Sequence, residues 1–141
     1  MISKRPTLIP YLFVNDAEIS IEFYRRCFGM ELIKKSRDEN NQIIHMEMTF
    51  KDALIMLAPE GACGETAQTP NHRNAACPVT LYLYCEDPDG IYATAIQGGA
   101  KCRIAPKDMF WGERVCEVED LDGYQWTFAK PLDQAEKQKS A

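Results

Sequence analysis

Near the end of this chain, FWGERVCEVEDLDGYQWTF at 110–128 brings together two tryptophans, three other aromatic rings, an arginine and a run of carboxylates. Rings beside a cation can stack a planar or cationic ligand, and carboxylates can hold a metal ion or move a proton. The histidines are His45 and His72. His45 precedes Glu47 by two residues, and positions two apart on a strand share a face, so this pair could serve as a base or begin a metal site. His72 lies in the small, polar stretch EGACGETAQTPNHRNAAC and reads as a solvated loop residue. The six cysteines, at 27, 63, 77, 85, 102 and 116, form no C-x-x-C pair and have no histidine at metal-finger spacing. They read as reduced thiols of a cytoplasmic protein.

The bulk numbers narrow the partners. A net charge of −5 with scattered basic residues disfavours nucleic acid, which needs clustered Lys and Arg. The amino-terminal MISKRPTLIPYLF is too short an apolar run for a signal peptide and contains Pro6 and Pro10. No apolar run approaches the ~20 residues that cross a bilayer. A length of 141 residues fits one domain or two half-size units, and the expected partner is a small molecule or another protein.

The elements that must position these residues occur twice. YLFVNDAEISIEFYRRCFG reads as a strand from Tyr11 to Val14, then a helix with Asn15 as cap, Glu18 completing a capping box and Gly29 as its left-handed stop. Ile19, Phe23 and Cys27 are its expected buried stripe. LYLYCEDPDGIYATAIQGG repeats the plan with a strand over 81–85, Asp87 as cap, Pro88 opening the helix, Gly98 or Gly99 closing it, and Ile91, Ala95 and Ile96 inside. TFKDALIMLA turns at Lys51 and Asp52, and EDLDGYQWTFA turns at Asp122 and Gly123. Asp16 to Asp87 and Met56 to Thr127 are both offsets of 71 (87 − 16; 127 − 56). The expectation is an α+β chain of two βαβββ modules, each a curved mixed sheet with one covering helix. Module 1 covers about 5–59, a linker 60–76, module 2 about 77–131, and a polar tail 132–141.

Through VNDAEISIEFYRRCFGMEL, YLYCEDPDGIYATAIQGGAK and FWGERVCEVEDLDGYQW, the chain resembles the vicinal oxygen chelate superfamily. That superfamily includes glyoxalase, extradiol dioxygenases and bleomycin-resistance proteins, and the closing hairpin looks most like the last branch. The resemblance covers about 9–131 and implies the glyoxalase/bleomycin-resistance-like fold. Metal-dependent members draw ligands from the first and fourth strands of each module, which here places Ile9, Met56, Thr80 and Thr127. A thioether and an aliphatic side chain do not suit a hard divalent ion, so no cofactor is expected. An off-pattern divalent metal seeded by His45 and Glu47 is the alternative.

With the first turn at Lys51 and Asp52, Glu47 lies opposite Met56 and His45 opposite Ala58, facing a cavity. They either satisfy each other or a neighbouring backbone group, or serve a ligand. With the second turn at Asp122 and Gly123, Thr127 faces Val118, Ala129 faces Cys116, Arg114 continues on the cavity face, and Trp126 and Phe128 point under the helix. Phe110, Trp111 and Arg114 then approach the cavity rim, with Gly112 allowing the bend. The expected site is an apolar, aromatic-lined cleft of Tyr11, Phe13, Tyr82, Tyr84, Phe110 and Trp111, with His45, Glu47 and Arg114 as polar fixtures. It suits a metal-free protein binding a small organic ligand, aromatic or cationic. The resemblance to bleomycin-resistance proteins implies capture in a cleft between two chains, and the aromatic rim implies a homodimer, swapped or unswapped. The alternatives are a metal-dependent lyase or isomerase of the glyoxalase type, and a structural dimer whose cavity its own side chains fill.

Overall fold

A computed structural model describes residues 4–133. The chain divides into two compact units, Met1–Ala75 and Ala76–Ala141. In the first, β1 (Tyr11–Val14) leads into α1 (Ala17–Phe28), then β2 (Glu31–Arg37), β3 (Ile43–Phe50) and β4 (Ala53–Pro59). The sheet order is β1-β4-β3-β2, with β1 parallel to β4 and the other pairs antiparallel.

The cap of α1 is Asp16, whose Oδ1 accepts the Ile19 N–H at 3.0 Å, not the expected Asn15. Gly29 closes the helix at φ 71°, as expected. The buried face is Ser20, Ile21, Phe23, Tyr24, Cys27 and Phe28, while Ile19 is 58% exposed. A row of every fourth residue drifts about 40° per step around an α-helix, so the row through Phe23 and Cys27 has left the core at Ile19. The tight turn at Lys51 and Asp52 pairs Phe50 with Ala53 and sets Glu47 opposite Met56, as expected. Alternation then buries Leu12, Val14, Met46, Met48, Ile55 and Leu57 on one face. Lys35, the partner of Met46, reaches Glu18 of α1, so this is the face the helix covers.

The stretch between the sheets is more ordered than its composition suggests. It holds a 3-10 turn, Ala62–Gly64, and a short helix α2 (Pro70–Arg73) capped by Thr69. Glu60 knits the two ends: one carboxylate oxygen accepts the Thr69 N–H at 2.6 Å and the other meets His72 Nδ1 at 2.8 Å. His72 is thus a bonded helix residue rather than a free loop side chain.

The second unit repeats the plan as β5 (Thr80–Tyr84), α3 (Pro88–Gln97), β6 (Lys101–Asp108), β7 (Glu113–Glu119) and β8 (Gln125–Pro131), in sheet order β5-β8-β7-β6. Its first strand starts one residue before the expected 81–85. Asp87 caps α3 through the Gly90 N–H, and Pro88 opens the helix. Of the expected stripe Ala95 is buried, Ile91 is half-buried and Ile96 is exposed. Tyr11 pairs with Met56 and Tyr82 with Thr127, which carries the offset of 71 into the hydrogen-bonded ladders (82 − 11; 127 − 56). Leu132, placed in the expected tail, is buried and donates to the Gly112 carbonyl. The tail from 134 onward lies outside the described residues.

The β7–β8 register departs from expectation by one residue. Glu117 pairs with Thr127 and Val115 with Ala129, whereas Val118 pairs with Trp126 and Cys116 with Phe128. The cause is Asp120. Its Oδ1 accepts the N–H groups of Asp122 and Tyr124, and its Oδ2 accepts Trp126 Nε1 at 2.8 Å. The ladder closes at Asp120 and Tyr124, leaving a three-residue loop with Gly123 at φ 98°. One residue in the loop turns every β7 side chain to the other face. Trp126 and Phe128 remain core, as expected, but Val118, Cys116 and Arg114 join them on the side of α3, and the Cys116 thiol donates to the Pro88 carbonyl. Glu113, Val115, Glu117 and Glu119 share the other face with Tyr82 and Thr127.

Trp126→Ala is therefore expected to cost about 3–5 kcal/mol, and Asp120→Ala about 1–3 kcal/mol through the buried donors it strands. Urea unfolding reads both. A Trp126→Ala loss below about 1 kcal/mol would contradict this packing.

Candidate functional site

On the face of the first sheet turned from α1, Tyr11, His45 and Glu47 form a continuous chain. The Tyr11 hydroxyl lies 3.0 Å from His45 Nδ1, and His45 Nε2 lies 2.8 Å from Glu47 Oε2. Glu47 Oε1 accepts Arg5 Nη1 at 2.7 Å. Burial alone would push the Glu47 carboxyl up, but hydrogen bonds from Arg5 and His45, with the charge of Arg5, hold it below its ordinary value. It is thus an ionised acceptor, although only 3% exposed. Phe13 stacks tilted beside Tyr11, ring centroids 5.4 Å apart. Tyr11 and Phe13 line a cavity of about 270 Å³ with Ile44, Ala58, Ala62, Cys63 and Glu65. The Tyr11 phenol is raised by burial first and then by the neighbouring Cys63, Glu47 and Glu65.

The corresponding face of the second sheet carries a different cluster. Tyr82 donates its hydroxyl hydrogen to Glu113 Oε1, and Trp111 Nε1 donates to the same oxygen at 3.0 Å. Hydrogen bonds from Tyr82 first and Tyr84 second hold the Glu113 carboxyl below its ordinary value. Burial, with the Glu113 contact next, pushes the Tyr82 phenol up to about 12. The rings of Tyr82, Tyr84 and Trp111 all stay about half exposed. Phe110 is 93% exposed and meets Trp111 edge to face, 5.0 Å between centroids.

Of the expected site residues, Tyr11, Phe13, His45 and Glu47 come together in the first unit and Tyr82, Tyr84, Phe110 and Trp111 in the second. Arg114 does not face the cavity side. The register turns it toward α3, where it binds Asp89 through two nitrogens at 2.7 and 2.8 Å and Asp108 at 2.9 Å. Glu113 takes the polar role among the rings that the shorter loop had given to Arg114.

The shifted register also reveals Glu117, which accepts Thr127 Oγ1 at 2.9 Å and meets Arg103 Nε at 3.5 Å. Opposite Thr127, it occupies the place Glu47 holds opposite Met56. Each module therefore carries one carboxylate there, joined to an arginine. The sequence signal was Asp120 before Asp122 and Gly123, since a short acidic side chain can bond the backbone two residues on and enlarge a turn.

The positions that would hold a metal offer an aliphatic chain at Ile9, a thioether at Met56 and hydroxyls at Thr80 and Thr127. Both hydroxyls are engaged, Thr80 with Gln125 and Thr127 with Glu117. This set does not fit a divalent ion. At the off-pattern pair, both Glu47 oxygens are occupied by Arg5 and His45. Among the described residues no three His, Cys, Asp or Glu side chains gather as a metal site.

A family model described as "Glyoxalase/Bleomycin resistance protein/Dioxygenase superfamily" matches residues 7–128. An uncharacterized protein of Mycobacterium bovis is 29% identical over 93% of this chain and 87% of its own. Among solved structures, TioX from Micromonospora sp. ML1 superposes with a TM-score of 0.71 at 20% identity, covering 91% of this chain and all of that one. A point mutant of the genomically encoded fosfomycin resistance protein FosX from Listeria monocytogenes, complexed with Mn(II) and 1S,2S-dihydroxypropylphosphonic acid, gives 0.67 at 13% identity over 99% and 98% of the two chains. At these identities the two structures speak for the fold.

Because the Glu47 carboxyl lies below its ordinary 4.5 when folded, the unfolded chain takes up its proton first as pH falls. The stability Glu47 contributes is complete above that ordinary value and is lost as pH drops through the folded one. Urea midpoints recorded from about pH 6 to pH 3 should fall less steeply for Glu47→Gln than for the parent. Parallel acid limbs would rule this linkage out.

Proposed function

We propose that this chain, which belongs to the Glyoxalase/Bleomycin resistance protein/Dioxygenase superfamily, binds a small aromatic or cationic organic ligand without a resident metal. The observation that carries the reading is the group of Tyr82, Tyr84 and Trp111 around Glu113. Its donors hold the carboxylate ionised and in place while the rings remain half exposed. A cation gains from ring faces and from a fixed negative charge at once, and a flat ring system gains from stacking. Arg114, bound by Asp89 and Asp108, has no part in it. A metal-dependent lyase or isomerase has the manganese complex of FosX in its favour, but the donor set described above opposes it here. Exposed Leu8, Val79 and Phe110 are large apolar groups that pairing of two chains would cover, which supports a homodimer.

The planar cation 1-methylquinolinium and its neutral analogue 1-methylnaphthalene test the site by calorimetry. The cation should bind more tightly, Trp111→Ala should weaken it by roughly 1–2 kcal/mol with the melting temperature nearly unchanged, and Glu113→Gln should remove the preference for charge. Equal binding of both probes by the parent protein would overturn the part given to the Glu113 charge, and binding of neither would overturn the reading.

Native mass spectrometry of the purified protein addresses the rest. The expected species is two chains without a divalent ion. One ion per chain would refute the metal-free reading, and a 16.0 kDa particle would refute the dimer.

A further inference from the structure

The hydrogen bonds of the first unit have a direction. The Glu47 carboxylate can only accept, so His45 Nε2 carries its hydrogen toward it, and in the neutral ring Nδ1 is then the lone-pair nitrogen that accepts the Tyr11 hydroxyl. Every hydrogen in the chain points from Tyr11 toward Glu47. Its outer end, Tyr11, lines the cavity, and its inner end is buried and held by Arg5. The same alignment of hydroxyl, imidazole and carboxylate underlies nucleophile activation elsewhere, where the carboxylate fixes the ring tautomer and stabilises the imidazolium.

We propose that Tyr11, His45 and Glu47 form a proton relay that ionises the hydroxyl group of an aromatic guest held in the cavity beside Tyr11. The proton of the guest passes to the Tyr11 oxygen while the proton of Tyr11 passes to His45 Nδ1. The products are an aromatic oxyanion, a neutral tyrosine and an imidazolium. Only protons move, and no oxidant or further reactant is needed. Glu47 faces the new positive charge from 2.8 Å. Arg5, on the far oxygen of Glu47, opposes that charge but keeps the carboxylate ionised. Cys63 and Glu65, the other titratable groups near Tyr11, favour the protonated phenol, so Tyr11 acts as a carrier and not as a resting tyrosinate. The cavity walls from Phe13, Ile44, Ala58 and Ala62 suit a flat apolar ring. Nothing in the relay uses Trp111 or Glu113, so the quinolinium experiment and this one fail independently.

The probe is 3-nitrophenol, whose phenol and phenolate absorb at different wavelengths and whose ionisation lies well above that of an ordinary imidazole, at a pH about one unit below that ionisation. Binding is measured by equilibrium dialysis and ionisation by the spectrum of the bound fraction. The expected result is a ratio of phenolate to phenol raised about tenfold in the bound probe over the free one, one pKa unit. Tyr11→Phe, which loses one hydroxyl, should still bind the probe and leave its phenolate-to-phenol ratio no higher than that of the free probe. Nitrogen-15 NMR of His45 should show the Nε2–H tautomer without probe and a doubly protonated ring with it. The inference is overturned if the parent does not bind the probe, if bound probe stays a phenol, if Tyr11→Phe ionises it equally, or if the His45 ring stays neutral.

Discussion

A carboxylate withdrawn from water has to be given hydrogen-bond donors, and that requirement organises both sheets. Leaving such a charge buried and unpaired costs several kcal/mol, far more than a surface ion pair returns. Glu47 takes Arg5 and His45; Glu117 takes Thr127 and Arg103; Glu113 takes Tyr82 and Trp111; Asp120 takes Trp126 and two backbone amides. Among the described residues no buried side-chain nitrogen or oxygen lacks a partner. The same saturation sets the chemistry available. Carboxylates whose oxygens are already filled by guanidinium, imidazole, hydroxyl and indole are poor places to gather a metal ion, and good places to fix a negative charge among aromatic faces.

The two modules share a skeleton and differ in what they hang on it. Tyr11 and Tyr82 stand at matching places on the first strands, as do Phe13 and Tyr84. Around that frame the first module places an imidazole between tyrosine and carboxylate, and the second an indole beside both. A tyrosine bonded to His45 has a basic nitrogen to receive its proton; a tyrosine bonded directly to Glu113 keeps its proton, donated in a hydrogen bond to an acceptor that a lowered pKa keeps ionised.

Much of this was legible because it is periodic or local. The offset of 71, the turn at Lys51 and Asp52, the placing of Glu47 opposite Met56 and the burial of Trp126 all follow from alternation and turn chemistry. The pairing of His45 with Glu47 was one of two readings left open. What escaped depends on single contacts that no period records. Arg5 reaches Glu47 across 42 positions from a segment outside any strand. Asp16 rather than its neighbour Asn15 caps α1 and starts the helix one residue later. Asp120 enlarges a loop by one residue, and that small miscount misplaced Arg114 and hid Glu113 and Glu117.

That loop also separates places where the chain's length can change freely from places where it cannot. A one-residue insertion or deletion at 121–123 would exchange Glu113, Val115, Glu117 and Glu119 with Arg114, Cys116 and Val118, driving three carboxylates beneath α3 and turning the thiol out of the core. At 65–68, where no ladder runs, an added residue would move no side chain from one sheet face to the other. Changes of any length are thus open to the connection between the modules, while the last hairpin admits only changes that keep its loop count modulo two.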